Sequence, residues 1–390
     1  MNMMKKVMVI NVEKEFNLEK SVCNHGFFMM LPNQWAPCSY SFRRPLRLAD
    51  GCSSVMVSIS SSTLDHQHLI IRAEKPASLS DSDRDLIRKQ VVRMLRLTNK
   101  DEIDVRKFQE AHPQAASKGF GRLFRAPDLF EDIIKAILLC NTSWNRTLEM
   151  CQYLCELQAE LHSGMHKDVL LAQDCNKSAD TTVRPRTINE YFRSCKRSTS
   201  KINLRALGNF PSSKELAGLS EEFLKQRCNL GLRAKFIIEV ANLVENGELN
   251  LGDLELELEE SFDEASYDNN IRDKLMALKG VGPFATNNIL MCMGDYRNIP
   301  IDTETIKHLC EVHDRKDARQ VYDKFAPYQC LAYWYELVES YERKLGQKLS
   351  KLCPSNYHKV ATSYLSSNTN KEKESTSTVT ATKRKRSSSR

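Results

Sequence analysis

The stretch "LKGVGPFATNNILMCMGDYRNIPIDTET", Leu278 to Thr305, admits few folded arrangements. Ile271, Leu275 and Leu278 upstream lie at helical spacing. Gly280 and Gly282 interrupt that helix, because glycine reaches backbone angles that other residues avoid. Pro283 suits the first turn of a new helix. Phe284, Ile289, Leu290 and Met293 carry the helical period onward, and Gly294 can end it. The pattern therefore predicts helix, tight turn, helix, followed by an extended "IPID" segment with one carboxylate, Asp302. Such a turn exposes backbone N–H groups at a helix N-terminus, where a phosphate binds without side-chain charge. The same residues would also write an ordinary αα-hairpin, and Asp302 could simply cap the helix that begins at "TETIKHLCEV".

The rest of the chain divides by period. From about Phe16 to Lys75 it reads as strands and turns. "VMVSISSS" alternates at Val55, Val57 and Ile59, and "HLIIRA" follows closely, which predicts an antiparallel pair. From Ser80 the period becomes helical at Leu86, Ile87, Val91, Val92, Met94 and Leu95. Phe130 to Leu157 reads as two helices separated near Asn141, and helical periodicity continues to about Leu345. We expect a mainly α protein with a small N-terminal antiparallel β-sheet domain. The expected boundaries are 10–118 for the sheet domain and 119–360 for the helical domain. The latter carries an insertion at about 160–205, where "DCNKSADTTVRPRT" is polar. The Ser/Thr/Lys-rich residues 361–390 read as a disordered basic tail.

Composition narrows the class. Hydrophobic residues make up 41% of the 390, enough for a real core. The apolar run "VMVINV" is too short for a signal core, and no stretch approaches the ~18 apolar residues of a membrane span. The 13 cysteines lack disulfide-framework spacing in so long a chain, so a reducing compartment is expected. The formal charge is +7. Residues 371–390 hold seven basic and two acidic side chains, a net +5, so the remaining body carries only +2. Net charge alone would not make that body a nucleic-acid binder.

"LKGVG" followed by a helix and "IPID" resembles the helix-hairpin-helix plus Gly/Pro-Asp (HhH-GPD) signature of base-excision DNA glycosylases. Eukaryotic 8-oxoguanine DNA glycosylases and bacterial 3-methyladenine DNA glycosylase II share this signature. The resemblance covers roughly residues 16 to 345, with gaps around 160 to 205. It implies the HhH-GPD fold, with Asp302 as the catalytic carboxylate. Gly280, Val281 and Gly282 would be the DNA-binding hairpin. "FRAPDLFEDIIKAILLCNTSWNR" resembles the helix and loop that enter the strand gap, with Asn141 and Arg146 at family positions. In "LGLRAKF", Arg233 falls on a second arginine facing the orphaned base, and Leu232 replaces a tyrosine wedge. Each has a plainer reading: Asn141 as a cap, the arginines as solvated surface, Leu232 as core.

The family's lysine nucleophile position is Phe284 here, and an aromatic residue also stands there in the 3-methyladenine proteins. Asn287 matches an Asn of those proteins. The resemblance thus implies a monofunctional DNA N-glycosylase, a hydrolase using water, with little AP-lyase activity. It would flip out a damaged base, alkylated or oxidised, from double-stranded DNA and hydrolyse its N-glycosidic bond. Alternatives are an 8-oxoguanine glycosylase with altered pocket or lyase chemistry, and an inactive lesion-DNA-binding protein. The base-reading positions on the last helix fall on Tyr333 and Leu337, and "YWYE", Tyr333 to Glu336, could provide a π-stacking wall. No metal site and no iron–sulfur cluster is expected: the chain has no Cys-x-x-Cys, and only Cys310, Cys330 and Cys353 follow Asp302. A structural monovalent cation at the hairpin carbonyls is implied by the family. A monomer is expected, and "KRKR", Lys383 to Arg386, resembles a nuclear localisation signal, or else a solvated basic tail. On this reading, deleting residues after about Thr362 lowers non-specific duplex affinity. It also flattens the log–log salt slope by ~0.9 per lost phosphate contact. Affinity measured across a salt series checks this, and excision by the bound protein should survive the deletion.

Overall fold

Alternating apolar residues build the N-terminal sheet in this computed structural model, which describes residues 7–62, 67–74, 79–163, 207–261 and 269–360. Its strands are β1 (Val7–Asn11), β2 (Gln34–Ala36), β3 (Ser41–Arg47), β4 (Ser54–Ser61) and β5 (His68–Glu74). They are antiparallel, in the order β1-β5-β4-β3-β2. The expected pair is β4 with β5, in a register that sets Ile59 opposite Ile71 and Val57 opposite Ala73. Val55, Val57 and Ile59 all point into the core. The sheet starts earlier than expected. "VMVIN" is neither leader nor loop but the edge strand paired with β5, with Met8 and Ile10 buried. A run too short for a signal core is long enough for a strand.

Helix α1 (Leu18–Val22) leads to a 3₁₀ turn, Gly26–Met29, and α2 (Asp81–Leu95), α3 (Asn99–Ala111) and α4 (Pro113–Ser117) follow the sheet. Ser80 and Thr98 start α2 and α3 with complete capping boxes. Then come α5 (Leu129–Leu139), α6 (Trp144–His162), α7 (Ser213–Ala217), α8 (Glu221–Cys228), α9 (Arg233–Glu245), α10 (Leu251–Ser261) and α11 (Asn269–Met276). The hairpin's second helix is α12 (Pro283–Met293). It is followed by α13 (Thr303–His313), α14 (Arg319–Tyr322) and α15 (Gln329–Leu345). The chain is thus mainly helical with a small N-terminal antiparallel sheet, as the periods predict. Two 3₁₀ turns beyond α15, Leu349–Lys351 and Pro354–Val360, had no periodic signal and were not foreseen. Most of the 160–205 insertion and the whole 361–390 tail lie outside the described residues.

One hydrophobic cluster runs across residue 118 from sheet to helices. A buried ion cluster is built into it. Arg44 of β3 holds Glu131 of α5 in a two-pronged pair, at 2.8 and 3.1 Å. Lys135 Nζ lies 2.7 Å from the same carboxylate, and Asn33 Oδ1 accepts from Arg44 at 3.0 Å. Burial pushes the Glu131 carboxyl up, but the Arg44 and Lys135 charges outweigh it and hold the group at about 2. A lowered folded pKa contributes stability above the ordinary value of 4.5, lost as pH falls toward 2. Glu131→Gln should destabilise the fold by about 3–5 kcal/mol, since it leaves two buried cations without a counter-charge. Denaturant unfolding at neutral pH measures this, and the gap between the proteins should narrow in acid.

Candidate active site

The turn between α11 and α12 is formed by Gly280 at φ +85°, a left-handed conformation. A Cβ there would meet the ring of Phe236 on α9 at 2.5 Å. Gly280 is therefore required twice, by its angle and by close packing. Gly282 corrects the sequence-based expectation. Its φ of −95° and extended ψ suit any residue, and a Cβ would meet nothing within 4 Å. Its bare backbone matters only to something that approaches from outside. Val281 faces inward, 4% exposed, and its amide donates to Leu278 O at 3.0 Å. The Gly280 and Gly282 amides donate to no group among the described residues.

Helix α12 is polarised by its surroundings. Its N-terminus, capped by the exposed Gly282 with Pro283 in the first turn, has no side-chain cap. Its C-terminus ends on Gly294 at φ +106° and is met by buried arginines. Arg96 Nη2 donates to Met291 O and Cys292 O at 2.6 and 2.8 Å, and Arg125 Nη1 donates to Cys292 O at 2.9 Å. Burial among other guanidinium groups pushes Arg125 down to about 9. The negative end of the helix dipole is thus compensated internally, and the positive end opens outward. An anion is the ligand such an end attracts.

Two loops adjoin the hairpin. Cys140, ending α5, places Sγ 3.9 Å from Gly280 O. That carbonyl accepts from no stronger donor among the described residues. Asn141 follows at φ +49°, exposed. Arg233 Nη2 donates to Cys140 O and, at 3.1 Å, to Asn141 O. Arg146 Nη2 donates to Asn229 O at 2.7 Å. Both arginines are half-buried and fasten the loop before α6 to the loop before α9. Leu232 is no core residue. It is 75% exposed, preceded by Asn229 and Gly231 in left-handed conformations. Gly280, Gly282, Asn141, Arg146, Leu232 and Arg233 thus share one end of the molecule.

Asp302 is the N-cap of α13, and it also lines a cavity. Its Oδ1 accepts from Thr305 N at 2.8 Å and Thr305 Oγ1 at 2.9 Å, while Oδ2 has no hydrogen-bond partner among the described residues. The Thr305 hydroxyl also contacts Pro300 O at 3.1 Å and Tyr333 Oη at 2.8 Å. From the other side, Asn287 Nδ2 donates to Ile299 O at 2.9 Å and Asn287 Oδ1 accepts from Arg272 at 2.7 Å. "IPID" is therefore pinned to both α12 and α15.

The cavity measures about 770 Å³, within the roughly 300–1,000 Å³ of small-ligand sites. Asp302, Phe284, Tyr333 and Leu337 all line it. No lysine lines it among the described residues, and Lys279 instead pairs with Glu239 at 2.7 Å. Burial and the Asp302 charge push the Tyr333 and Tyr341 phenols up, so both stay protonated. The stacking wall differs from "YWYE" as a block. Tyr333 and Trp334 line the cavity, but Tyr335 packs on His112 and Phe120, and Glu336 meets His313. Four consecutive helical residues go all the way round the helix, so the whole block cannot face one cavity. Sequence reasoning missed His25, Trp144 and His358 of the lining. His25 is held neutral, pushed down to about 4 by burial, and a Cβ on Gly26 would stand 3.0 Å from the Trp144 ring. Trp144 sits in the quoted "CNTSWNR" and was the discoverable one.

No protein-family model and no curated protein matches the sequence. Solved structures do match. A 3-methyladenine DNA-glycosylase from Archaeoglobus fulgidus superposes with TM-score 0.54 at 16% identity, covering 85% of this chain and 98% of that one. The apo 8-oxoguanine glycosylase/lyase of Clostridium acetobutylicum gives 0.53 at 15% identity, over 85% and 96%. MBOgg1 in complex with a low-affinity DNA ligand gives 0.54 at 17% identity, over 88% and 97%. The chain has the helix-hairpin-helix DNA glycosylase fold. Within this glycosylase fold the two hairpin glycines are not equivalent. Gly280→Ala should cost about 1–3 kcal/mol of stability through its positive φ and the Phe236 contact. Gly282→Ala should stay within about 0.5 kcal/mol. Thermal unfolding of both variants checks the distinction, and equal losses would contradict it.

Proposed function

We propose that the protein is a monofunctional DNA glycosylase that releases a damaged base from duplex DNA using water. The observation that carries this reading is one cavity holding the Asp302 carboxylate and aromatic walls, with no lysine among the described residues. On this reading the outward N-terminus of α12 receives a backbone phosphate at the Gly280–Gly282 turn. Leu232 enters the gap left by the flipped base, and Asn141, Arg146 and Arg233 face the orphaned partner. A nearly neutral body needs such placed contacts, since its net charge contributes little.

The flipped base would stack between Phe284, Tyr333 and Trp334, with Leu337 closing the floor. As the N-glycosidic bond breaks, positive charge grows on the sugar, and a fixed carboxylate stabilises it. The arrangement at Asp302 suits this: Oδ1 is held by Thr305 and Oδ2 remains for the cation or an attacking water. With no lysine lining the cavity among the described residues, on this reading no Schiff base forms and the sugar is left abasic. We propose no catalytic metal or iron–sulfur cluster. A monovalent cation at the hairpin carbonyls, beside Gly280 O, would stiffen the turn, and no chemical step passes through it. A monomer acting on lesion-containing duplex, delivered to the nucleus by Lys383 to Arg386, completes the proposal.

A panel of duplexes carrying single lesions, 3-methyladenine and 8-oxoguanine among them, tests the reading. Base release from at least one duplex is expected, with strand breaks appearing only after alkali and no borohydride-trapped complex. Breaks without alkali, together with efficient trapping, would restore the lyase alternative. Tight lesion binding with no release from any duplex would favour the inactive binder.

A further inference from the structure

A second cluster lies on the same two helices that carry Asp302 and Tyr333, away from the cavity. His308 and His313 come from α13 and Glu336 from α15. One ligand atom from each lies within 4.8 Å of the others. His308 is 2% exposed, yet neither of its ring nitrogens makes a hydrogen bond. Its Nε2 stands 3.2 Å from Glu336 Oε1, near but not aligned for a bond. His313 Nε2 lies 2.6 Å from that same oxygen. Tyr322 donates to the other carboxylate oxygen, Oε2, at 3.1 Å.

A buried imidazole with no hydrogen bond at Nδ1 and only an off-line contact to Glu336 at Nε2 is costly and needs a reason. We propose that His308, His313 and Glu336 form a binding site for zinc or a similar divalent transition-metal ion. Two imidazoles and a carboxylate are a donor set zinc accepts, usually with water as the fourth ligand. Metal–ligand bonds of about 2.0–2.2 Å in a tetrahedron put neighbouring donor atoms about 3.3 Å apart. The His308–Glu336 spacing of 3.2 Å already has that value, and the His313–Glu336 contact opens by less than an ångström on metal entry. Tyr322 then acts as the outer-shell donor that orients the carboxylate. Entry is available, because His313, Glu336 and Tyr322 line a separate hollow of about 470 Å³ beside His112 and Lys324. The ion would clamp α13 to α15 behind the catalytic cavity, a structural role independent of the glycosylase reading.

The test uses the full chain after chelator treatment, with Co²⁺ as spectroscopic probe and Zn²⁺ for stability. One equivalent of Co²⁺ should give a visible d–d band without thiolate charge-transfer absorption, and Zn²⁺ should raise the melting temperature. Glu336→Gln and, separately, the partly exposed His313→Gln should weaken binding by at least about tenfold, the cost of disturbing even an outer-shell partner. Both variants should also lose the zinc-induced shift. Absent binding, a thiolate band, or wild-type affinity in both variants would overturn the proposal. If Glu336→Gln fails to fold, His313→Gln decides.

Discussion

The pairing of Arg44 with Glu131, reinforced by Lys135, fixes the frame on which everything else rests. It joins the sheet to α5 through side chains that are all buried, where an unpaired charge is costly. Helix α5 lies against α12, and the two end side by side, Cys140 against Gly280. The loop after α5 and the turn before α12 therefore share one end of the molecule. Arg96 and Arg125 fix the opposite end of α12 by holding its last carbonyls. With that end compensated, the helix presents its free amides and positive pole at the hairpin.

Asp302 carries two duties that sequence reasoning had set against each other. It is a complete N-cap, through one oxygen, and a cavity group, through the other. Thr305 links the two duties, since its hydroxyl touches the carboxylate, the Pro300 carbonyl and the Tyr333 phenol together. A capped carboxylate has few conformations left, and a group that must meet developing charge gains from arriving already fixed. On the proposed glycosylase reading, the cap is part of how the carboxylate is prepared.

Period and turn chemistry made much of this legible. The hairpin was readable because Gly, Pro and helical spacing coincide within a few residues, and β4 with β5 because alternation marks a half-buried sheet. Phe284, Tyr333 and Leu337 were reachable through the resemblance, and they line the cavity with Asp302. What stayed hidden was tertiary. Nothing local says that Gly282 is conformationally ordinary while Gly280 packs on Phe236, about forty residues away in sequence. His25 and His358 come from opposite ends of the chain, and a turn with no period brings the second one in. The 3₁₀ segments after α15 lack any repeating apolar signal, and buried arginines such as Arg44 read in sequence as surface.

The most direct test of the central claim is single-turnover base release by Asp302→Asn on a lesion duplex, measured beside its binding affinity. Asparagine caps a helix about as well as aspartate, so α13 and the cavity should persist and binding should change little. It cannot offer negative charge to the opening sugar, so release should fall by about 100-fold or more. Near-normal release by this variant would contradict the account.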